Sequence, residues 1–236
     1  MKGLGWCAGI VSLALAATLT PRIVGAELAG CDAPKVDNFV VFVDQSGSMY
    51  KQHAEAGEVK EVLAKHTLLE LNQDVPGKFC CLGSALYLFA PFEEVKAPYL
   101  YDRGSFATRI GWIPDSQPVS LRLTPMADGF NDLKPVVAGM KGKTAVIVVT
   151  DGGANTGGDP IEAARALVAA KPGVCLHVVS LADEERGREI NKQLAAITPA
   201  CRSVEAREVL GNGPKMEQFA RDVFCISLPP PARRGG

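Results

Sequence analysis

The sequence predicts an α/β fold of the doubly wound type, with a mainly parallel central sheet and helices on both of its faces. Near-continuous apolar runs are predicted as buried strands, and segments with helical spacing alternate with them. Strands that are apolar on both faces are typical of a parallel sheet covered by helices. The predicted strands are Asn38–Val43, Lys78–Phe89, Thr144–Thr150, Val174–Leu181 and Ser203–Glu205, and the predicted helices are Glu58–Leu71, Pro160–Ala170, Glu184–Ile197 and Gly213–Phe224.

Composition sets the size and class of the protein. The chain has 236 residues, of which 47% are hydrophobic and 22% charged, so it can supply the core of one ordinary globular domain, predicted over residues 31–226. Its formal net charge of −1 gives no reason to expect nucleic acid or an anionic membrane surface as partner. Residues 227–236, rich in Pro, Arg and Gly, are predicted to form a disordered tail.

Residues 1–30 are predicted to be a signal peptide. Lys2 precedes an apolar run from Trp6 to Leu19, which has the length of a signal-peptide core and is short for a bilayer span. Cleavage is expected near residue 26, after small residues, or near residue 30, where Leu28-Ala29-Gly30-Cys31 resembles a lipobox and Cys31 would carry a lipid anchor. Either route predicts an exported protein of the periplasm or cell envelope. Outside the signal peptide, no segment reaches the length of a transmembrane helix.

The first predicted helix has one apolar stripe. Val59, Val62, Leu63, His66 and Leu69 recur with helical spacing, so this stripe is expected to face the sheet. Leucines outside it make the end of the helix less cleanly amphipathic.

Three oxygen-bearing side chains follow the first strand at alternate positions. Asp44, Ser46 and Ser48 supply one carboxylate and two hydroxyls, and alternate residues of an extended loop point the same way. Hard oxygen donors at the carboxyl end of a strand suit a divalent cation such as Mg²⁺. An ordinary Ser/Gly turn at the start of a helix is the alternative explanation of this segment taken alone.

Two more segments supply further oxygens of the same kind. Asp151 directly follows the strand Thr144–Thr150, so its carboxylate also lies at a strand's carboxyl end. Thr124 precedes Pro125 at an expected helix start, since proline is favoured in the first helical turn. In a doubly wound sheet, ligands bind beyond the carboxyl ends of the strands, and a shared site is therefore expected there.

Together these motifs resemble the metal-ion-dependent adhesion site of the von Willebrand factor A domain family. The family pattern is D-x-S-x-S, then a Thr, then an Asp, and the chain matches it in order over a likeness extending from Asn38 to Phe224. The phrasing around the first motif looks especially like bacterial envelope members of the family. The resemblance implies a metal site of Asp44, Ser46, Ser48, Thr124 and Asp151.

The resemblance also implies a function. Ser46, Ser48 and Thr124 would offer hydroxyls directly to Mg²⁺ (or Mn²⁺), while Asp44 and Asp151 would act mainly through bound waters. Such a metal keeps a coordination position for an Asp or Glu of a partner protein. The resemblance therefore predicts an exported, metal-dependent adhesion or assembly module. It predicts no catalytic residue.

Two other functions remain as alternatives. A metal beside hydroxyls could activate water in a hydrolase, but no histidine is tied by motif to Ser46, and Gln45-Ser46-Gly47 lacks the first glycine of a nucleophile elbow. A structural envelope domain with an idle metal site is the other alternative.

Six cysteines follow the signal core, an even number that predicts disulfides in an exported protein. The predicted fold favours a Cys175–Cys201 bridge around one strand–helix unit, and a Cys31–Cys225 clasp between the domain ends. Lipid-directed cleavage at Cys31 would argue against the clasp. Cys80 and Cys81 are adjacent in a predicted strand, where mutual pairing is not expected, and a buried free thiol is the alternative for each cysteine.

Overall fold

The computed structural model describes residues 31–77, 82–115 and 123–226. These residues form a six-stranded sheet with helices on both faces, together with a pair of short strands from the two ends of the described chain. The elements are β1 (Ala33–Pro34), β2 (Asn38–Asp44), a 3₁₀ helix (Gly47–Tyr50), α1 (Lys60–Asp74), β3 (Gly83–Phe89), β4 (Glu93–Leu100), α2 (Arg103–Gly111), α3 (Met126–Gly139), β5 (Thr144–Thr150), α4 (Pro160–Ala169), β6 (Val174–Ser180), α5 (Glu185–Ile197), β7 (Ser203–Glu205), α6 (Ala206–Val209), α7 (Gly213–Phe224) and β8 (Cys225–Ile226).

The strand order places the ends of β2 and β5 side by side. The six strands lie in the order β4-β3-β2-β5-β6-β7, and every neighbouring pair is parallel except β3 and β4. The chain passes from β2 to β3 on one side and later returns on the other side of β2 as β5, so strand order reverses between them. Asp44 ends β2 and Asp151 follows β5. Both therefore lie at the point where such sheets bind ligands.

The central strands are covered on both faces by apolar helices. Phe39, Val41 and Val43 of β2 pack in one cluster with residues of α1, α2 and α7. Val40 and Phe42, which point to the opposite face, pack in a second cluster with residues of α3, α4 and α5. The doubly wound, mainly parallel fold predicted from the apolar runs is confirmed.

Several elements were not predicted from the sequence: β1, β4, α2, α6 and β8, and also α3, of which only the start near Pro125 was expected. Strand β4 was missed because it is largely exposed and carries Pro98, which edge strands tolerate better than central ones. Of the strand predicted over Lys78–Phe89, β3 begins at Gly83, while residues 78–81, including Cys80 and Cys81, lie outside the described residues. The signal peptide and the tail at 227–236 lie outside them as well.

The predicted apolar stripe of α1 is only partly correct: Leu63 is buried in the core and Leu69 packs against it. Val62, His66 and Leu69 are exposed or only half-buried, whereas Leu68 and Leu71 are buried. The face of α1 that packs on the sheet also includes small and polar residues. A face predicted from the large apolar side chains alone is therefore rotated about the helix axis from the face that is buried. The buried residues of this helix are Lys60, Glu61, Leu63, Ala64, Thr67, Leu68, Leu71 and Asn72.

Two disulfides are present, and they join the pairs favoured from the sequence. Cys175 and Cys201 link the start of β6 to the segment after α5, with Cα atoms 5.9 Å apart. Cys31 and Cys225 have Cα atoms 5.1 Å apart, beside the antiparallel pair of β1 and β8. A Cys31 sulfur bonded to Cys225 has no thiol for acylation, so this bond and a lipid anchor at Cys31 exclude one another. Two bridges indicate folding in an oxidising compartment.

The search for membrane-crossing helices covered the described residues only. Within them, every helix is too short or too polar to span a bilayer.

Peptide mapping of the purified protein without reductant should recover Cys175 joined to Cys201 and Cys31 joined to Cys225. Replacing either pair by serines should lower the free energy of unfolding by about 2–5 kcal/mol, because the unfolded chain gains freedom. Recovery of Cys175 and Cys201 as free thiols would contradict this prediction.

Candidate metal centre

Asp44 is held at the end of β2 by hydrogen bonds to both carboxylate oxygens. The Ser46 backbone N–H donates to Asp44 Oδ1 at 2.8 Å, and Thr150 Oγ1 at the end of β5 donates to Asp44 Oδ2 at 2.6 Å. The Asp44 side chain is fully buried. It is therefore fixed between the two central strands.

Ser46, Ser48 and Asp151 continue from Asp44 as a connected set of oxygens. Ser46 Oγ lies 3.0 Å from Ser48 Oγ, and Ser48 Oγ donates to Asp151 Oδ1 at 3.1 Å. The Gly153 backbone N–H donates to the same Oδ1 at 3.0 Å. The structure thus brings together four of the five side chains that the sequence predicted as ligands.

Thr124 joins the same cavity from a third segment. It precedes α3 by one residue, Pro125, and it is buried. Its backbone N–H donates to Asn155 Oδ1 at 2.8 Å, and the Asn155 N–H donates to the Thr124 carbonyl at 3.3 Å, which fastens it to the loop after β5. With Ser48 and Asp151, Thr124 lines a cavity of about 490 Å³ at the carboxyl edge of the sheet.

The glycines after Asp151 are required by close packing. Gly152 has φ +74°, and a Cβ there would meet the Gly187 carbonyl oxygen at 2.3 Å. A Cβ on Gly153 would meet Asp151 Oδ1 at 2.9 Å and Ser48 Oγ at 3.0 Å. These two glycines let the loop run against α5 on one side and against the oxygens on the other.

Lys60 is a buried cation at this site, and the sequence analysis did not identify it. Its Nζ lies 3.0 Å from Asp151 Oδ2 and 2.5 Å from Asp183 Oδ1, and its side chain is 5% exposed. Burial works to lower the pKa of Lys60, but its hydrogen bonds and attraction to Asp183 and Asp151 raise it overall. Only one signal in the sequence pointed to it: a lysine in the first helical turn, where the helix dipole disfavours a cation.

The oxygen donors fit a hard divalent cation. Burial, with repulsion from Asp151, raises the pKa of Asp44 to about 7, against the hydrogen bonds from Thr150 and Ser46 that lower it. In the described part of the chain, the ion pairs include none to Asp44. A fully buried carboxylate with hydroxyls beside it is an environment that a Mg²⁺ or Mn²⁺ ion would stabilise.

Glu61 is a second buried acid close to Asp44. It is fully buried, and neither carboxyl oxygen makes a hydrogen bond of normal geometry to a described residue. Burial raises the pKa of Glu61 to about 8; the neighbouring Gln45 side chain opposes this shift, and the charge of Asp44 adds to it. Glu61 is therefore neutral near pH 7 and adds no charge beneath the cavity.

A second cluster, of Cys175, His177 and Cys201, does not fit a metal in this state. Their ligand atoms lie within 4.8 Å of one another, but the two sulfurs are joined in a disulfide. His177 Nδ1 accepts a hydrogen bond from the Arg202 N–H, and burial lowers the pKa of His177 to about 3. This group is a packed disulfide with a neutral histidine beside it.

The other two histidines also serve roles away from the oxygens. His53 is buried, and its Nδ1 accepts hydrogen bonds from the N–H groups of Glu55 and Ala56, both at 3.2 Å. It closes the turn before α1. His66 is exposed on that helix, 4.0 Å from Glu58.

Known proteins resemble this chain in structure but not in sequence. No protein-family model matches the sequence, and no curated protein is significantly similar to it in sequence. Solved structures do match. One is an aerotolerance-related membrane protein from Bacteroides fragilis, solved with multiple mutations to serines: it has TM-score 0.60 and 14% identity, and the match covers 79% of this chain and 98% of that one.

Two further solved structures also resemble the fold of this chain. A von Willebrand factor type A structure from Catenulispora acidiphila has TM-score 0.55 and 14% identity, over 79% of this chain and 42% of that one. Manganese-loaded TRAP protein from Plasmodium vivax has TM-score 0.53 and 14% identity, over 80% of this chain and 74% of that one. Identities this low show the fold alone. The chain has the von Willebrand factor A type of Rossmann-like α/β fold.

Glu61 should make the stability of the protein in EDTA depend on pH. The folded protein keeps the Glu61 proton up to about pH 8, whereas the unfolded chain releases it near 4.5. The stability from neutral Glu61 is therefore fully present below the unfolded pKa and is lost as the pH rises through the folded one. Between about pH 5 and 8, the free energy of unfolding of the wild type should fall more steeply than that of Glu61→Gln. Denaturant unfolding at several pH values measures this, and parallel curves would refute it.

Proposed function

We propose that the protein is an exported, metal-dependent protein-binding module of adhesion or assembly. The observation that carries this proposal is the convergence of oxygens from three separate segments on one cavity where strand order reverses. Asp44 ends β2 and is followed by Ser46 and Ser48, Asp151 follows β5, and Thr124 precedes α3. Ser48, Asp151 and Thr124 line the cavity, and hydrogen bonds connect Ser48 to Ser46 and Ser46 to Asp44. These residues would hold Mg²⁺ or Mn²⁺.

The metal would supply a positive centre with a coordination position for a carboxylate. Hydrogen bonds within this chain hold two of the acidic residues in position for the metal. Thr150 at the end of β5 donates to Asp44 at the end of β2, and Ser48 donates to Asp151. The cavity rim is mixed in charge, with Lys51 and Arg186 beside Glu184. A partner Asp or Glu entering at the metal would make a charge-assisted contact at the centre of the interface.

A hydrolase is supported less well by the same geometry. Hydrolysis beside a metal needs a group to accept a proton from water. His53 holds a turn, His177 accepts a bond from the Arg202 N–H, and His66 is exposed on α1. Asp44, whose pKa is raised to about 7, has both carboxylate oxygens engaged by the Ser46 N–H and Thr150 Oγ1. We therefore propose binding and not catalysis.

A structural domain with an idle site is favoured by one observation, the Lys60 ion pairs. Lys60 already places a positive charge against Asp151 and Asp183, so the fold has a cation without a metal. Direct measurement of metal binding separates this alternative from the proposal.

Export to the periplasm or cell envelope is part of the proposal. It is supported by the signal-peptide pattern of residues 1–30 and by the two disulfides, which persist in oxidising compartments. The Cys31–Cys225 bond favours cleavage without lipid attachment.

Metal binding should stabilise the folded protein. At a concentration about 100 times its dissociation constant, Mg²⁺ or Mn²⁺ should add about 2.7 kcal/mol to the free energy of unfolding. Asp44→Asn should abolish this gain, because it removes a ligand charge while keeping the side-chain shape. Asp132→Asn, which removes the same charge from an exposed site on α3, is the control. Titration calorimetry that detects no binding to the folded wild type would contradict the proposal.

Partner binding should require both the metal and an acidic residue of the partner. Capture from cell-envelope extract by the immobilised protein should succeed with Mg²⁺ and fail in EDTA, and Asp44→Asn and Thr124→Ala should abolish it. Changing the partner's acidic residue to its amide should reproduce the loss, since the amide carries no charge for the metal. Capture that persists undiminished in EDTA and with Asp44→Asn would place recognition on another surface.

A further inference from the structure

The two oxygens of the Asp151 carboxylate have different partners, and one of these partners is the buried Lys60 side chain. Asp151 Oδ1 accepts from Ser48 Oγ and from the Gly153 N–H, while Oδ2 faces Lys60 Nζ at 3.0 Å. One oxygen therefore belongs to the hydroxyl cluster, and the other is paired with a protein cation. Lys60 is not peripheral to the proposed metal centre but touches one of its members.

Lys60 is also bound on its far side by Asp183. Asp183 Oδ1 lies 2.5 Å from Lys60 Nζ, and Asp183 Oδ2 accepts from the Ala54 N–H at 2.9 Å. These contacts connect the segment after β6 to the loop before α1. The ammonium is thus enclosed between two carboxylates, with its side chain 5% exposed.

The location of Lys60 is electrostatically unfavourable apart from these carboxylates. It is the first residue of α1, where the partial positive charge of the helix N-terminus repels a cation. Burial adds a desolvation cost. Attraction to Asp151 and Asp183 offsets both the repulsion from the helix N-terminus and the desolvation cost. Lys60 is therefore held in place by the negative charge of these two carboxylates.

The charges in the cavity explain what this cation does. Asp44, Asp151 and Asp183 carry up to three negative charges, and Lys60 carries one positive charge in contact with two of them. In a region of low dielectric, a positive charge in contact with Asp151 opposes the binding of a divalent cation that Asp151 would help to hold. The same charge stabilises the carboxylates when no metal is bound.

We propose that Lys60 is a resident cation that keeps the metal-free site folded and sets the affinity for divalent ions lower than the oxygens alone would give. Lys60 is a positioning and tuning residue in this role, acting on the metal through Asp151. The inference rests on the proposed metal site and deepens it. It means that metal occupancy follows the concentration of the divalent ion and is not permanent.

Lys60→Met tests this inference, because methionine fills much of the same volume without the charge. In EDTA, the variant should melt at a lower temperature than the wild type, since Asp151 and Asp183 lose their partner. In Mn²⁺, it should bind the ion roughly tenfold more tightly or better, and the ion should raise its melting temperature by more. Lys192→Met, which removes an exposed lysine of α5, is the matched control.

Asp183→Asn is the second variant and should act in the opposite direction. It removes a negative charge and leaves Lys60 paired with Asp151 alone, so Mn²⁺ should bind more weakly than in the wild type. This variant keeps the cation buried with one partner and remains informative if Lys60→Met does not fold. Affinity that is unchanged or raised in Asp183→Asn overturns the inference.

Titration calorimetry with Mn²⁺ on the three proteins separates the inference from the proposed function. If the wild type binds Mn²⁺ and Lys60→Met binds it equally or more weakly, the tuning role is overturned while the metal site stands. Lys60 would then be assigned to orienting Asp151. Binding found only in Lys60→Met supports the resident cation and refutes metal dependence of the natural protein. Absence of binding in both proteins overturns both.

Discussion

The hydrogen bond from Thr150 Oγ1 to Asp44 Oδ2 joins the ends of the two central strands, and the candidate site depends on it. With that oxygen held, Asp44 Oδ1 accepts from the Ser46 N–H and turns the chain out of β2. Ser46 then lies against Ser48, and Ser48 against Asp151. Each oxygen is positioned by the one before it, so the geometry of the cavity follows from the parallel pairing of β2 with β5.

Charge burial is the second constraint on this region. Several acidic side chains are buried at or near the cavity, and each has a different electrostatic environment. Burial raises the pKa of Glu61 to about 8 and that of Asp44 to about 7, while Asp151 lies against the Lys60 ammonium. Such arrangements cost folding free energy and are typical of sites retained for binding. The strand core on either side supplies the stability that offsets them.

The sequence predicted the parts of the molecule whose cause is local. Apolar runs predicted β2, β5 and β6 to within a residue, since a strand buried on both faces needs apolar residues throughout. The ligand candidates followed from strand ends, because topology brings carboxyl ends together. Lys60 and Glu61 could not be recognised in this way, since their partners are separated from them in sequence and meet them only in the folded sheet. The error in the predicted face of α1 has the same origin: its buried side includes these two charged residues.

The clasp at the chain ends has a mechanical consequence. Cys31 and Cys225 are joined at the amino edge of the sheet, next to the short pair of β1 and β8, whereas the cavity opens at the carboxyl edge. The bond holds the residues before β2 against the residues after α7 even when the two-residue pair of β1 and β8 separates. Opening of the structure from these ends would therefore stop at the disulfide. It would not spread along β2 to Asp44, which lies at the opposite end of that strand.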